Sequence, residues 1–292
     1  MSVRIVTDST AYLPEEVVRR HAIEVVPLHV VVGGRDHVEG RDVTAEQVAD
    51  ALRHYTIVTT SRPTPQVFAE TYERLADEGA TAIVSIHLSS QMSGTVEAAR
   101  LAARESPVPV EVVDSQTLGM AMGFAVVAAA ETAADGGELT QVLDAMRGRL
   151  DASAVLFYVD TLEHLRRGGR IGAASAMLGS ALSIKPILAV RAGRIAPVEK
   201  VRTSSRAIAR IESLVVEHVT RGGLVVDIAV HHLDAQVRAT QIAEHLRAIV
   251  PGAPTVILVE LGAVVGAHVG PGTVAIAVSP RPGEPLTGVT VS

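Results

Sequence analysis

Cysteine is missing from all 292 positions, which excludes disulfides, thiolate nucleophiles and thiolate metal ligands. Tryptophan is also absent, and aromatic residues make up only 2% of the chain. A planar or sugar-like ligand usually meets aromatic rings, whereas aliphatic and methionine walls suit a flexible alkyl chain. A plain Ala/Val bias accounts for the same scarcity. There is no excess of basic residues, and the net charge of −6 excludes the footprint of a nucleic-acid binder. No apolar run is long enough for a bilayer, and the longest, residues 118–130, falls well short. The first eight residues read as a strand rather than a signal peptide. A cytoplasmic protein with no transmembrane segment is expected, and any meeting with a membrane surface is transient. Neither Gly-x-Gly-x-x-Gly nor a phosphate-loop Lys-Ser/Thr pattern occurs, so a nucleotide-binding enzyme is disfavoured.

The chain is long enough for one large or two medium domains with ample core. Through residue 152 it alternates short apolar runs with helical stretches. Strands are expected at 3–6, 23–32, 82–86 and 108–113, with helices at 14–21, 65–78, 94–104, 118–134 and 139–150. Thr44 and Gln47 stand at the spacing of a capping box. This alternation predicts a parallel sheet covered on both faces, with its site on the loops after strand C-termini. From about residue 154 the texture changes to strands, a hairpin around Arg191-Ala-Gly-Arg194 and two further helices. The fold class read here is α/β in two domains: an N-terminal parallel-sheet domain (1–152) and a C-terminal α/β domain with a mixed sheet (153–279). The Pro/Gly-rich residues 280–292 are expected to form a loose tail.

The stretch Leu88-Ser-Ser-Gln-Met-Ser-Gly-Thr95 carries the most chemistry. It joins a strand to a helix N-terminus, where free amides and the helix dipole favour an anion. A second hydroxyl cluster, Thr59-Thr-Ser61, precedes Pro63 and Pro65 and reads as the opening of another helix. Taken alone, Ser93 beside Gly94 is more often an N-cap than a ligand contact. Asp8 and Asp114, each followed by serine, read as loop-organising turns. His231 and His232 are adjacent on a strand and point to opposite faces, a poor chelate, and no metal is assigned. His268, among Gly266, Gly270 and Gly272, sits in an apparent loop that allows close approach to a ligand. Arg166, Arg167 and Arg170 read either as a solvated helix end or as a docking patch. The small-residue run 173–182 reads as helix packing or as room for a tunnel, with Met177 and Leu178 as wall candidates.

These pieces together resemble the DegV family of bacterial fatty-acid-binding proteins. The matching motifs are Thr7-Asp-Ser9, Thr60-Ser-Arg-Pro63, Ser89-Ser-Gln-Met-Ser-Gly-Thr95, Asp114-Ser115, Leu165-Arg-Arg-Gly-Gly-Arg-Ile171, Ile184-Lys-Pro-Ile187 and Ala267-His-Val-Gly-Pro-Gly272. Each is weak alone, but the ordered set spans nearly the whole chain. The resemblance implies two α/β domains and a long-chain fatty acid, such as palmitate or oleate, as ligand. It places the carboxylate on Thr60, Ser61, Ser93, Gly94 and His268. Arg170 falls at the carboxylate and partner-docking face, and Met92 can pack on the acyl chain. Some members are the acyl-binding subunit of a bacterial fatty acid kinase, whose separate ATP-binding subunit phosphorylates the lipid. The chain would then be non-catalytic and need no cofactor. Arg62, where members often carry Gln, and Gln91-Met92 depart from the family pattern. The alternative function is a serine hydrolase using Ser93, His268 and an acid such as Asp114, although no Gly-x-Ser-x-Gly elbow surrounds Ser93.

Overall fold

The computed structural model describes residues 2–177, 184–252 and 255–286. Strands β1 (Val3–Asp8), β2 (Glu24–Val26), β6 (Ala82–His87) and β7 (Val110–Asp114) form a parallel sheet in the order β2-β1-β6-β7. Strand side chains alternate between faces, so this sheet has two apolar sides. Ile5, Val84 and Ile86 share a core with α5 (Met120–Ala134) and α6 (Leu139–Ala152). On the other face, Val6 and Ile83 pack with α3 (Pro65–Asp77) and α4 (Thr95–Ala103). The apolar run 23–32 is not one strand. It breaks at Pro27, which has no amide to donate to a ladder. Beyond the break, β3 (His29–Val32) pairs antiparallel with β4 (Arg35–Val38) and β5 (Val58–Ser61) in a small separate sheet. Two shorter helices, α1 (Glu15–Arg20) and α2 (Ala45–Arg53), complete this half, and the Thr44–Gln47 capping box is present on α2.

The C-terminal half contains β8 (Ala154–Tyr158), β9 (Lys185–Arg191), β10 (Arg194–Val201), β11 (Leu224–His232), β12 (Thr255–Glu260) and β13 (Val274–Pro285). They form one mixed sheet ordered β10-β9-β8-β13-β11-β12, in which only β11 and β12 pair in parallel. Helices α8 (Ser204–Gly222) and α9 (Gln236–Ile249) cover one face through Ile211, Val215, Ile242 and Leu246. The other face turns toward the N-terminal half, where Val155, Ala229 and Ala277 meet Met120, Ala121 and Phe124 of α5. Helix α5 is therefore apolar all round because sheets bury it on two sides, which accounts for the run 118–130. The short helices α7 (Glu163–Arg167) and α10 (Ala263–Val269) lie beside this junction.

Three expectations are corrected. The glycine-rich stretch around His268 is a helix, α10, and not a loop. Thr59, Thr60 and Ser61 end strand β5 instead of opening a helix. Residues 280–285 are not tail, because β13 continues through them and pairs Pro280 with Val226 and Pro285 with Leu224. Proline is tolerated there because β8 pairs with β13 only as far as Val278, which leaves one side of the strand free. Leu178 and the last residues of the expected tail lie outside the described residues. Of the small-residue run, Gly172–Met177 forms a 3-10 turn.

Asp227 of β11 is the polar anchor between the halves. It accepts hydrogen bonds from Arg149 of α6 at 2.6 Å and from Arg281 of β13 at 2.7 and 2.9 Å. Both Asp227 and Arg149 are buried. Asp227→Ala leaves a buried guanidinium without its counter-charge and is expected to cost about 3–5 kcal/mol in urea unfolding. A loss below about 1 kcal/mol, the level of an exposed pair, would show that the pair does not anchor the fold.

Candidate functional site

The polar loop 88–94 leaves β6 over a sealed hydrogen-bond chain. The Asp8 carboxylate accepts from the Thr10 amide and hydroxyl, from the Leu88 amide and from His87 Nδ1. With Nδ1 donating, His87 Nε2 accepts from Ser85 at 2.7 Å, and Ser85 in turn accepts from the Tyr72 hydroxyl at 2.8 Å. Asp8, Tyr72, Ser85 and His87 are all fully buried. The connectivity is Ser–His–Asp, but no substrate reaches Ser85, and the network serves to fix the start of the loop.

Contacts from the other half hold the rest of the loop. Ser89 Oγ donates to the Gly193 carbonyl at 2.7 Å, Arg194 to Gln91 Oε1 at 2.5 Å, and Arg170 Nε to the Met92 carbonyl at 3.0 Å. Gly193 sits at φ +75°, and a β-carbon there would collide with Ser89 Oγ, so this clamp requires glycine. The N-cap of α4 is Gly94, and no side chain caps the helix. Ser93 is therefore not a cap. Its hydroxyl pairs with that of Thr95 at 2.9 Å.

A cavity of about 370 Å³ opens between the halves, within the range of about 300–1,000 Å³ common for small-molecule sites. Its inner part is built from buried Val155, Phe157, Ala275 and His231 of the mixed sheet. Leu28, Leu88, Met92, Val264 and Val265 form walls. At its outer part stand Thr60, Ser61, Ser93, Gly94, Arg170 and His268, with Arg62 beside them; Ser61 and Arg62 are exposed. The structure thus brings together Thr60, Ser61, Ser93, Gly94, Arg170, His268 and Met92, whereas Arg166 and Arg167 are exposed and pair with Glu163. Met177 is buried but is not among the described residues that line the cavity.

His268 sets the polarity of the outer end. Burial, with the Arg170 guanidinium nearby, pushes its pKa down to about 4, so the ring is neutral at pH 7. Nε2 lies 2.8 Å from Thr60 Oγ1, while Nδ1 is buried without a partner among the described residues. A β-carbon on Gly168 would collide with Nδ1, so the close approach of α7's end seals that nitrogen from water. An orphaned N–H costs more than an orphaned lone pair on a ring nitrogen, so the proton sits on Nε2 and is donated to Thr60. The Thr60 hydroxyl, accepting there, keeps its own hydrogen free to donate. Arg170, held through Nε and through Nη1 on the Gly168 carbonyl, adds a fixed positive charge. The outer end is a set of donors, and among its described lining residues there is no Asp or Glu.

The hydrolase arrangement is not present. His268 bonds Thr60 and not Ser93, and the Asp114 carboxylate is taken by Ser90 and by the Gln116 amide. The place of His231 in the cavity is not visible from the His231-His232 pair, which in the sequence reads only as a poor chelate. His231 accepts from the Met120 amide at 3.1 Å, and burial beside His232 lowers its pKa to about 4. Strand alternation was the available signal, since it places His231 and Ala275 on the face turned to the other half.

Fold and site together define an α/β protein whose cavity has a donor-lined outer end and a largely apolar interior. The chain belongs to the DegV family: residues 2–281 match the model of a family described as "Uncharacterised protein, DegV family". A DegV domain-containing protein of Streptomyces coelicolor is 53% identical over 279 residues, covering 96% of this chain and 99% of that protein. A DegV family protein from Thermus thermophilus, described by its fatty acid binding, superposes with a TM-score of 0.91 at 33% identity. That match covers 96% of this chain and 100% of the other. DegV of Bacillus subtilis, a fatty acid binding protein, gives 0.88 at 34% identity over 96% of this chain and 100% of its own. Among the described residues no helix is long and apolar enough to cross a membrane.

Glu39 supports the site from behind. Its carboxylate accepts from the Val264 amide at 2.8 Å, and burial raises its pKa from 4.5 to about 7 despite hydrogen bonds from Ser9 and Val264. An acid whose pKa rises on folding holds its proton more tightly in the folded state. Its contribution therefore favours folding most below pH 4.5 and is lost as pH rises through about 7. The size is on the order of 3 kcal/mol. Glu39→Gln should remove this slope, so the stability difference between variant and wild type grows in favour of the variant from pH 5 to 8. Parallel pH profiles in urea unfolding would show that Glu39 does not ionise in that range.

Proposed function

We propose that this chain binds a long-chain fatty acid, such as palmitate or oleate, with the carboxylate outward and the acyl chain inward. The observation that carries the reading is the cavity's division into an outer end rich in hydrogen-bond donors and free of carboxylates among the described residues, and a largely apolar interior. The Thr60 hydroxyl, Ser61, Ser93, the uncapped start of α4 at Gly94 and Arg170 would receive the carboxylate, with His268 holding Thr60 in its donating orientation. Burial contributes about 0.8 kcal/mol per CH₂, so a chain of about sixteen carbons supplies on the order of 10 kcal/mol before ordering costs. The tail dominates affinity, and the head sets direction. The fatty acids bound by the Thermus and Bacillus relatives support the same ligand class here.

The protein is expected to carry fatty acid through purification, and solvent extraction with mass spectrometry will detect it. Thr60→Ala removes a donor to a charged group and should weaken binding by roughly 1.5–3 kcal/mol in titration. Wild-type affinity in this variant and in Ser93→Ala would place the carboxylate elsewhere.

The reading extends to a division of labour in the cytoplasm. Since the carboxylate end is the exposed end, a separate ATP-binding kinase subunit can reach it without releasing the lipid. Phosphoryl transfer depends on positioning and on charge stabilisation, which Arg170 and the Thr60–His268 pair are placed to supply. The chain alone should neither hydrolyse ATP nor form acyl phosphate. With a kinase subunit from the same cell it should form acyl phosphate, and Arg170→Ala should slow that reaction. ATP turnover by the isolated chain would overturn this division of labour.

A further inference from the structure

Charge at the cavity mouth exceeds what a carboxylate requires. Two guanidiniums, Arg62 and Arg170, line the cavity, and no acidic side chain lines it among the described residues. Arg170 is anchored to the Met92 and Gly168 carbonyls. Arg62 makes no hydrogen bond or ion pair with any described residue, in a protein whose net charge is −6. Its position is nevertheless built. The side chain lies across Gly94, where a β-carbon would collide with Nη1 and crowd Cδ and Cζ. Gly94 has φ −82°, which any residue adopts, so glycine is required here for the arginine's seat and not for backbone freedom. That seat points an unpartnered cation along the uncapped start of α4, beside Thr60 and Ser93. A monocarboxylate offsets one of the two guanidiniums. A phosphate monoester, with its second ionisation near pH 6, offsets both and offers three acceptor oxygens.

We infer that the cavity also takes single-chain lipids whose head is a phosphate, in preference to the carboxylic acid of the same chain, and that Arg62 is the residue that discriminates between them. This rests on the fatty-acid reading of the cavity. The phosphate can sit directly on the chain or on a glycerol attached to it, and both present the same dianion to Arg62.

The test is titration of the whole protein with palmitate, hexadecyl phosphate and palmitoyl lysophosphatidate. At about pH 8 hexadecyl phosphate should bind at least about tenfold tighter than palmitate, and the ratio should shrink below about pH 6 as the head becomes a monoanion. Arg62→Gln should bring the ratio toward one. Gly94→Ala, which displaces the Arg62 side chain without straining the backbone, should lower it as well. The same preference for the lysophosphatidate supports the inference for both attachments. Preference for hexadecyl phosphate alone supports it for phosphate borne directly by the chain. Palmitate binding with no phosphate preference, or equal losses for both ligands in Arg62→Gln, overturns this inference and leaves the fatty-acid reading standing. Failure of all three ligands to bind overturns both.

Discussion

The hydrogen bond from the Val264 amide to the buried Glu39 carboxylate places α10, and the outer end of the site follows from that placement. The helix has only seven residues and cannot hold its position by its own stability. It belongs in sequence to the C-terminal half, yet its N-terminus is received by Glu39, and about one turn further along its His268 meets Thr60 at the end of β5. Glycine flanks it on both sides for steric reasons. A side chain on Gly262 would strike Glu39, and one on Gly270, at φ +77°, would strike His164. The pairing of a hydroxyl from one half with an imidazole from the other therefore depends on a carboxylate that touches neither.

From that arrangement comes the direction of the hydrogen bonds. A neutral imidazole with one nitrogen sealed against Gly168 is favoured as a donor to Thr60, because the other tautomer would bury an unpaired N–H, and Thr60 is then free to donate onward. The loop bearing Ser93 is fixed by separate means: the Asp8 network beneath it, and Gly193, Arg194 and Arg170 across from it. Two unrelated supports thus hold hydroxyls at one mouth, an arrangement suited to an anion whose tail lies against aliphatic side chains.

The parallel sheet was legible in the sequence because both its faces are buried, and its strands read as apolar runs separated by amphipathic helices. The motif at 88–95 was legible because a strand-to-helix loop has a defined electrostatic character. What failed was local and has physical causes. Thr59-Thr-Ser61 resembled a helix start because the prolines that follow fit the beginning of α3, and a four-residue strand has too little period to compete. Glycine density hid α10, where those glycines serve close approach and not flexibility. Pro27 is inconspicuous inside an apolar run that supplies two different sheets. His231 beside His232 reads only as half of a poor chelate, whereas its partner is the Met120 amide, a contact between elements more than a hundred residues apart that no spacing rule reports.

Strand β13 carries a consequence for the order in which the molecule is made. Among the described residues it is the last strand in sequence, and it lies in the interior of its sheet, between β8 and β11. During synthesis the parallel sheet of the N-terminal half has all its strands once residue 114 emerges, while β8 and β11 have exposed edges until residues 274–285 arrive. The C-terminal sheet, and with it the cavity floor at Ala275, closes in a single late step between strands far apart in sequence, the kind of pairing whose loop-closure entropy slows folding. A ribosome paused before that strand presents a finished half joined to two open β-edges, the surface on which chaperones and neighbouring nascent chains compete.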